Sequence, residues 1–243
     1  MKAMKLWILA AVMMVAGTAT VKAQTATDII RKHIDAIGGT DNWNKVTSTK
    51  RIGSMSVQGM DIGVTQTTVN NKGARTDISV SGINGYMIVT PKEGWMYLPF
   101  QGMDKVTPMP AATLKMQQDR MNVKGGMLTD ISEVAKAEYI GKDTVNNMSC
   151  LKVKITKKDG IEETVFFDAA TYYIVREERK MIIKDEEEEV GFSFSNFQKQ
   201  PEGIVVPMTM TSPMMGGDIT FKSIEINKTV DDKIFQPNPA DKK

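Results

Sequence analysis

"LKVKITKKDGIEETVFF", residues 151–167, decides the fold class. Leu151, Val153 and Ile155 alternate with Lys152 and Lys154, the period of two expected of a strand with one apolar and one wet face. Lys158-Asp159-Gly160 supplies turn chemistry, and Glu163–Phe167 resumes the strand pattern. Two strands joined by so short a turn must run antiparallel. Further along, Tyr172–Ile183, Val190–Phe197, Ile204–Met210 and Asp218–Asn227 read as successive strands. In the last, Ile219 and Phe221 share one parity while Ile224 and Ile226 take the other, which predicts a bulge near Ser223. Toward the N-terminus the same period reaches back to about Lys45. Val57, Ile62 and Val64 flank a hairpin break at Gly59-Met60-Asp61, with strands expected at roughly 71–80, 84–90 and 94–98. Before them, Thr27–Ile37 reads as a helix: Thr27 as N-cap, Asp28 in the first turn, Ile30, Ile34 and Ile37 on one stripe, and Gly38-Gly39 as the stop. About nine strands in meander order, one N-terminal helix and one helical insertion predict a mainly β fold, an antiparallel sheet curled around something.

The first residues bear on location. Met1–Lys5 is short and basic, Leu6–Gly17 is apolar, and Val21-Lys22-Ala23 precedes Gln24, the layout of a secretory signal peptide cut after Ala23. Without it, residues 24–243 are expected to form a single exported domain. The leader removes Lys2, Lys5 and Lys22, leaving 31 − 3 = 28 basic and 29 acidic residues, a formal charge of −1. That balance supports neither a nucleic-acid footprint nor a polybasic membrane tether. Cys150 is the only thiol, so a core must carry stability without an internal disulfide.

One stretch fits no regular core element. "GWMYLPFQGMDKVTPMPAATLKMQQDRM", residues 94–121, holds five methionines with Trp95, Tyr97 and Phe100, interrupted by three prolines and two glycines. Within Pro110–Met121, Leu114 and Met121 share one helical face while Met116 points to nearly the opposite side, so no single face is apolar. Methionine suits surfaces that re-pack around varied partners, but it also fills irregular cores.

Catalytic constellations are missing from the sequence. His33 is the only histidine, which rules out a His/Cys metal cluster, and it reads as a satisfied or exposed helix residue. No nucleophile elbow, phosphate loop or dinucleotide fingerprint occurs. The acidic run Asp185–Glu189 lacks the glycine-bent ligand spacing of a calcium loop and reads as a solvated hairpin tip. Asn147-Met-Ser149 and Asn227-Lys-Thr229 match the short glycosylation pattern. No pair of carboxylates stands out for hydrolysis.

Four segments resemble a known family. "YMIVTPKEGWMYLPFQGMDKVTP" (86–108) is similar to a strand-turn-strand of LolA, the periplasmic carrier of outer-membrane lipoproteins. "YIGKDTVNNMSCLKVKITKKDGIEETVFFDAATYYIVREE" (139–178) resembles the central strands of LolA-like proteins, notably the outer membrane lipoprotein-sorting group of Bacteroidetes. "TATDIIRKHIDAIGGTDNWNKVTS" resembles that group's first helix and double glycine, and "TVDDKIFQPNP" its closing segment. The resemblance implies a half-barrel, closed by an N-terminal helix and a helical lid, enclosing an apolar cavity for acyl chains. It implies cavity and lid residues at Trp95, Tyr97, Phe100, Leu114, Met116 and Met121. The family's basic lid latch, typically followed by proline, has no clean match here; Lys72 and Arg75 are the candidates. The implied protein is a periplasmic monomer without cofactor, metal or catalysis. Its partners would be lipoprotein acyl chains or lipid, an inner-membrane lipoprotein-releasing transporter and an outer-membrane acceptor. A lipid- or lipopeptide-sensing module of an envelope signalling complex is the alternative, and a hydrolase on the same scaffold a third.

Overall fold

The computed structural model describes residues 25–125, 127–183, 186–213, 216–238 and 241; the expected leader, Met1–Ala23, lies outside them. The first helix, α1 (Ala26–Ala36), begins two residues earlier than its apolar stripe suggests, because Thr25 rather than Thr27 caps it. Thr25 Oγ1 accepts from Asp28 N at 3.1 Å, and Asp28 Oδ2 accepts in return from Thr25 N at 3.3 Å. This reciprocal pair satisfies two otherwise orphaned amides. Ile29, Ile30 and Ile34 form its buried stripe, and Ile37 is its C-cap. Gly38 then comes so close to Gly203 and Ile204 that a Cβ would collide with their backbone, and its φ of 109° admits little but glycine. A short helix, α2 (Thr40–Asn44), follows, its buried Trp43 donating Nε1–H to the Ile37 carbonyl at 3.0 Å.

The strands then form one antiparallel sheet. In chain order they are β1 (Ser48–Val57), β2 (Met60–Val69), β3 (Gly73–Val80), β4 (Ile83–Val89), β5 (Gly94–Tyr97) and β6 (Thr107–Pro108), then β7 (Val134–Val145), β8 (Met148–Lys157), β9 (Glu162–Asp168), β10 (Ile174–Ile183), β11 (Glu186–Lys199), β12 (Val205–Ser212) and β13 (Gly217–Ile226). They are ordered β6-β5-β4-β3-β2-β1-β13-β12-β11-β10-β9-β8-β7 across the sheet. Two meanders thus meet where β13 pairs with β1, and the register slips between Ile52 and Gly53, opposite Phe221 and Ser223, at the bulge expected there. The sheet is curved, open, and mainly β, as the sequence predicts. The additional strands are the edges: β6 is two residues long, and β7 is exposed along most of its length, so neither carries a burial alternation. Glu186–Glu189 opens β11 next to the β10–β11 turn and pairs with β10, with Glu188 and Glu189 exposed; Asp185 lies outside the described residues.

Paired residues on neighbouring strands point to the same side of a sheet. On one side, Leu151, Val153, Ile155, Val165, Phe167 and Ile174 pack under α1 together with Leu128. Continuing the same side, Ile219, Phe221 and Ile226 pack with Trp43, Val46 and Val123. We call this the helix side. On the opposite side, the C-terminal Val230, Ile234 and Phe235 pack on Tyr86 and Ile88. This is the tail side, where Phe235 takes the space left by Gly73.

His33 is a buried member of the α1 face, 2% exposed. Its Nδ1 lies 2.8 Å from the Tyr172 carbonyl, so the neutral ring donates from Nδ1, and Nε2 has no hydrogen-bond partner. Burial pulls its pKa down to about 4, against the carbonyls of Tyr172 and Leu128, which favour the charged form. The unfolded chain therefore binds a proton that the folded chain refuses. Stability is full above about pH 6.5 and falls as pH drops toward 4.

Two predictions follow from this packing. Val153 is fully buried on the helix side, whereas exposed Lys154 pairs with Glu162 at 3.1 Å on the other. Val153→Asp should cost about 3 kcal/mol or more in chemical denaturation, and Lys154→Asp less than about 1 kcal/mol. Equal losses would place the strand in the wrong register. For His33, moving from pH 7.5 to 4.5 should remove about 2.5 kcal/mol. In His33→Leu that component should vanish from the pH dependence, whatever the variant's absolute stability.

Candidate functional site

The strand registers resolve the helix side into transverse rows. Nearest the helices, Ile226, Thr49, Thr68, Ala74, Val89 and Gly94 form one row across β13, β1, β2, β3, β4 and β5. The next contains Ile224, Arg51, Gln66, Thr76, Met87 and Met96. Beyond it come Phe221, Gly53, Val64, Ile78 and Gly85, then Met55, Ile62, Val80 and Ile83. The last two rows hold no charged residue. Their aliphatic side chains are half-buried at Met55, Ile62, Ile78 and Val80. Ile83 is 49% exposed, as is Met60, at 46%, on the adjoining hairpin. Met210, Phe192 and Phe194 continue this half-buried apolar surface across β12 and β11.

The connection from β6 to β7 bonds to the sheet along the first row, and its Val123 joins the cluster of Phe221, Ile224 and Ile226. It contains α3 (Ala111–Gln117) and a turn of 3-10 helix, Gln118–Met121. Leu114 and Met109 pack where Gly94 lacks a Cβ. Four polar contacts tie this segment to the sheet rim. Gln118 Nε2 donates to the Pro91 carbonyl at 3.1 Å, and Thr68 Oγ1 to the Arg120 carbonyl at 3.2 Å. Asn71 N donates to the Met121 carbonyl at 3.3 Å, and Val123 N to Asn70 Oδ1 at 3.4 Å. Beyond this rim, Lys124 Nζ reaches Asn44 Oδ1 at 3.3 Å and Glu133 at 3.7 Å.

The residues expected at the site divide between the two faces. Phe100 lies on the helix side, over Gly85, and Leu114 packs on Gly94. Met121 is half-buried beside the β2–β3 turn; Met116 belongs to α3, and its side chain lies outside those described. Trp95 and Tyr97 pair with Ile88 and Tyr86 and therefore face the tail side. There both rings join the cluster around Phe235, Tyr97 lying 5.7 Å from the Tyr86 ring. Alternation along β5 puts these two residues on a common face, and the pairing with β4 fixes which face that is. Lys72 and Arg75 hold the tail. Lys72 pairs with Asp232 at 2.5 Å. Arg75 donates to Asp77 at 2.7 Å and to the Ile234 carbonyl at 3.0 Å, with its guanidinium 4.4 Å from the Tyr86 ring centre. Tyr86 donates to Asp241 and accepts from Asn238 N, completing the strap. Two open clefts of about 560 and 570 Å³ flank Arg75 and Asp77, both largely on the tail side.

A second polar group lies on the helix side, on β8–β10. Lys157 Nζ is 3.0 Å from the buried Glu163 carboxylate. Neighbouring Glu177 is pushed up to about 7, first by burial and then by the charge of Glu163. Arg179 lies 5.1 Å over the Phe192 ring. Sequence reading missed these residues and the methionine rows, because a charge on a strand's apolar parity looks like a break in the pattern.

No family model matches the chain, and no curated protein matches it in sequence. Among solved structures it is similar to a domain described as an outer membrane lipoprotein-sorting protein from Vibrio parahaemolyticus. Their TM-score is 0.52 at 12% identity, covering 86% of this chain and 95% of that one. A DUF1329 family protein from Desulfovibrio piger gives 0.51 at 16% identity, covering 85% and 97%. A LolA superfamily protein from Nitrosomonas europaea gives 0.49 at 10% identity, covering 88% and 99%. The chain thus shares its fold with a domain described as lipoprotein-sorting, the group that the sequence resemblance names. Among the described residues no helix is long and apolar enough to cross a membrane.

The division of basic residues is testable. Arg75→Met should cost about 1–2 kcal/mol and speed carboxypeptidase trimming of the tail, since it removes a half-buried charge-assisted contact. Lys72→Ala, at an exposed pair, should cost less than about 0.5 kcal/mol. Neither should change hydrogen exchange across residues 111–123; faster exchange there in either variant would make that residue a lid latch.

Proposed function

We propose that the helix side of the sheet binds acyl chains, and that the protein carries lipoproteins or other acylated molecules through the periplasm toward the outer membrane. One observation carries this reading: two rows of half-buried Met, Ile and Val side chains, open beyond the rim-bound connection. Apolar surface of this kind is a standing cost unless something covers it, and an acyl chain recovers about 0.8 kcal/mol per buried methylene. Methionine-rich surfaces accept chains of differing shape. In this reading Phe100, Leu114, Met116 and Met121 border the chain's path, and Trp95 and Tyr97 stiffen the wall from behind. The similarity in fold to a protein described as lipoprotein-sorting, and the leader-like layout of residues 1–23 in the sequence, support the assignment. A releasing transporter in the inner membrane and an acceptor at the outer membrane would complete the route. Binding and release require no catalytic group.

The experiment compares binding with stability. Met87→Gln together with Met96→Gln places two amides in the half-buried second row. Affinity for a fluorescent acyl probe should fall about tenfold or more, with the melting temperature changed by no more than a few degrees. Ser79→Gln, on the tail side, should leave both unchanged. Unaltered binding in the double variant, or no binding by the parent protein, would refute the reading.

A further inference from the structure

Arg51, like Arg179, lies over a phenylalanine ring, but Arg179 has Glu177 near it and Arg51 has no such acid. It lies on the helix side, in register with Ile224 and Gln66, and its guanidinium carbon stands 5.7 Å from the Phe221 ring centre. Burial draws it below the usual arginine range, with no neighbouring acid to offset that loss. Among the described residues no carboxylate pairs with it and no acceptor bonds to it, whereas Arg75 and Arg176 each hold a carboxylate oxygen at 2.7 Å. Nor is a carboxylate within reach along its own face. The helix-side residues of β1–β5, β12 and β13 named above contain no Asp or Glu. Beside it in the same row lie two further donors, the Gln66 amide and the buried Thr76 hydroxyl. On one side of this row stand the rim contacts; on the other begin the two uncharged apolar rows. A guanidinium held against an apolar, acid-free surface is costly unless an anion meets it.

We propose that Arg51, with Gln66 and Thr76, forms an anion subsite for the head of the bound acyl chain. The ligand is then a chain bearing a carboxylate or phosphate, its head at this row and its tail along the apolar rows toward Met60 and Ile83. This rests on the acyl-binding reading above and narrows it: charge, not chain length alone, selects the cargo. Planar guanidinium and two neutral donors suit either oxyanion, the guanidinium through paired hydrogen bonds.

The test uses two probes, dansyl-aminoundecanoic acid and its methyl ester, titrated into the mature protein at neutral pH. The parent protein should bind the acid at least about tenfold more tightly than the ester. Arg51→Met, which keeps an apolar stem over Phe221, should bring the acid down to the ester's affinity and leave the ester unchanged. Arg51→Lys should retain part of the preference. Displacement by lysophosphatidate in preference to laurate assigns a phosphate head, and the reverse a carboxylate; either outcome supports the subsite. Four results overturn it: no preference for acid over ester in the parent protein, a preference that survives in Arg51→Met, equal loss of both probes there, or displacement by monoacylglycerol as effective as by either anion. Binding of both probes without discrimination would leave the acyl reading standing and remove only the subsite. Binding of neither would remove both.

Discussion

The pairing of β1 with β13 is the constraint on which the rest depends. It joins two meanders, each with short local turns, into one sheet, and it leaves β6 and β7 at opposite edges. The chain between those edges must cross the sheet's width. It does so on the helix side, along the rim, where the Val123 amide bonds to Asn70 and the Gln118 side chain to the Pro91 carbonyl. The same topology leaves the first meander without a helix of its own. The second meander has α1 on its apolar face, with Ile29, Ile30 and Ile34 filling it. The first has only the rim connection, and so keeps its rows of Met, Ile and Val partly open.

That asymmetry separates folding from binding. The fully buried side chains of Leu128, Val153, Ile155, Phe167 and Ile204 belong to the helix-covered half and its junction with α2. Removing such groups leaves cavities and is expensive. The half-buried rows on β1–β5 contribute less to stability and are free to meet a ligand. The tail side has its own closure: Phe235 on Gly73, and Arg75 between Asp77, Tyr86 and the Ile234 carbonyl. This closure backs the rows nearest the rim, while a cleft of about 560 Å³ opens behind the two apolar rows.

Much of the fold was legible because local chemistry and final structure agree. The alternation at 151–155, the turn at 158–160, the double glycine after α1 and the parity change near Ser223 each specify one local arrangement, and each is present. The edges were not legible, since an exposed strand such as β7 has no face to bury. The site was legible only in part. Alternation tells which residues share a face, not which face a helix will cover; that choice is made by β1–β13 pairing, far away in sequence. Trp95 and Tyr97 therefore went to the tail side, while Met87 and Met96, between them in parity, face the helices. Arg51 was hidden for a related reason. Within Ser48–Val57 it reads as an ordinary solvated strand residue until the neighbouring strands show it among Phe221, Ile224 and Gln66.

The central claim is that acyl chains lie on the helix side of the first meander. Photocrosslinking with a diazirine-bearing acyl chain, followed by peptide mapping, tests it most directly. The account predicts adducts on Met55, Met87, Met96 and Met210 and on the 94–121 connection, suppressed by excess unlabelled chain. Adducts confined to the tail side, at Tyr86, Tyr97 or the 230–238 segment, would contradict it.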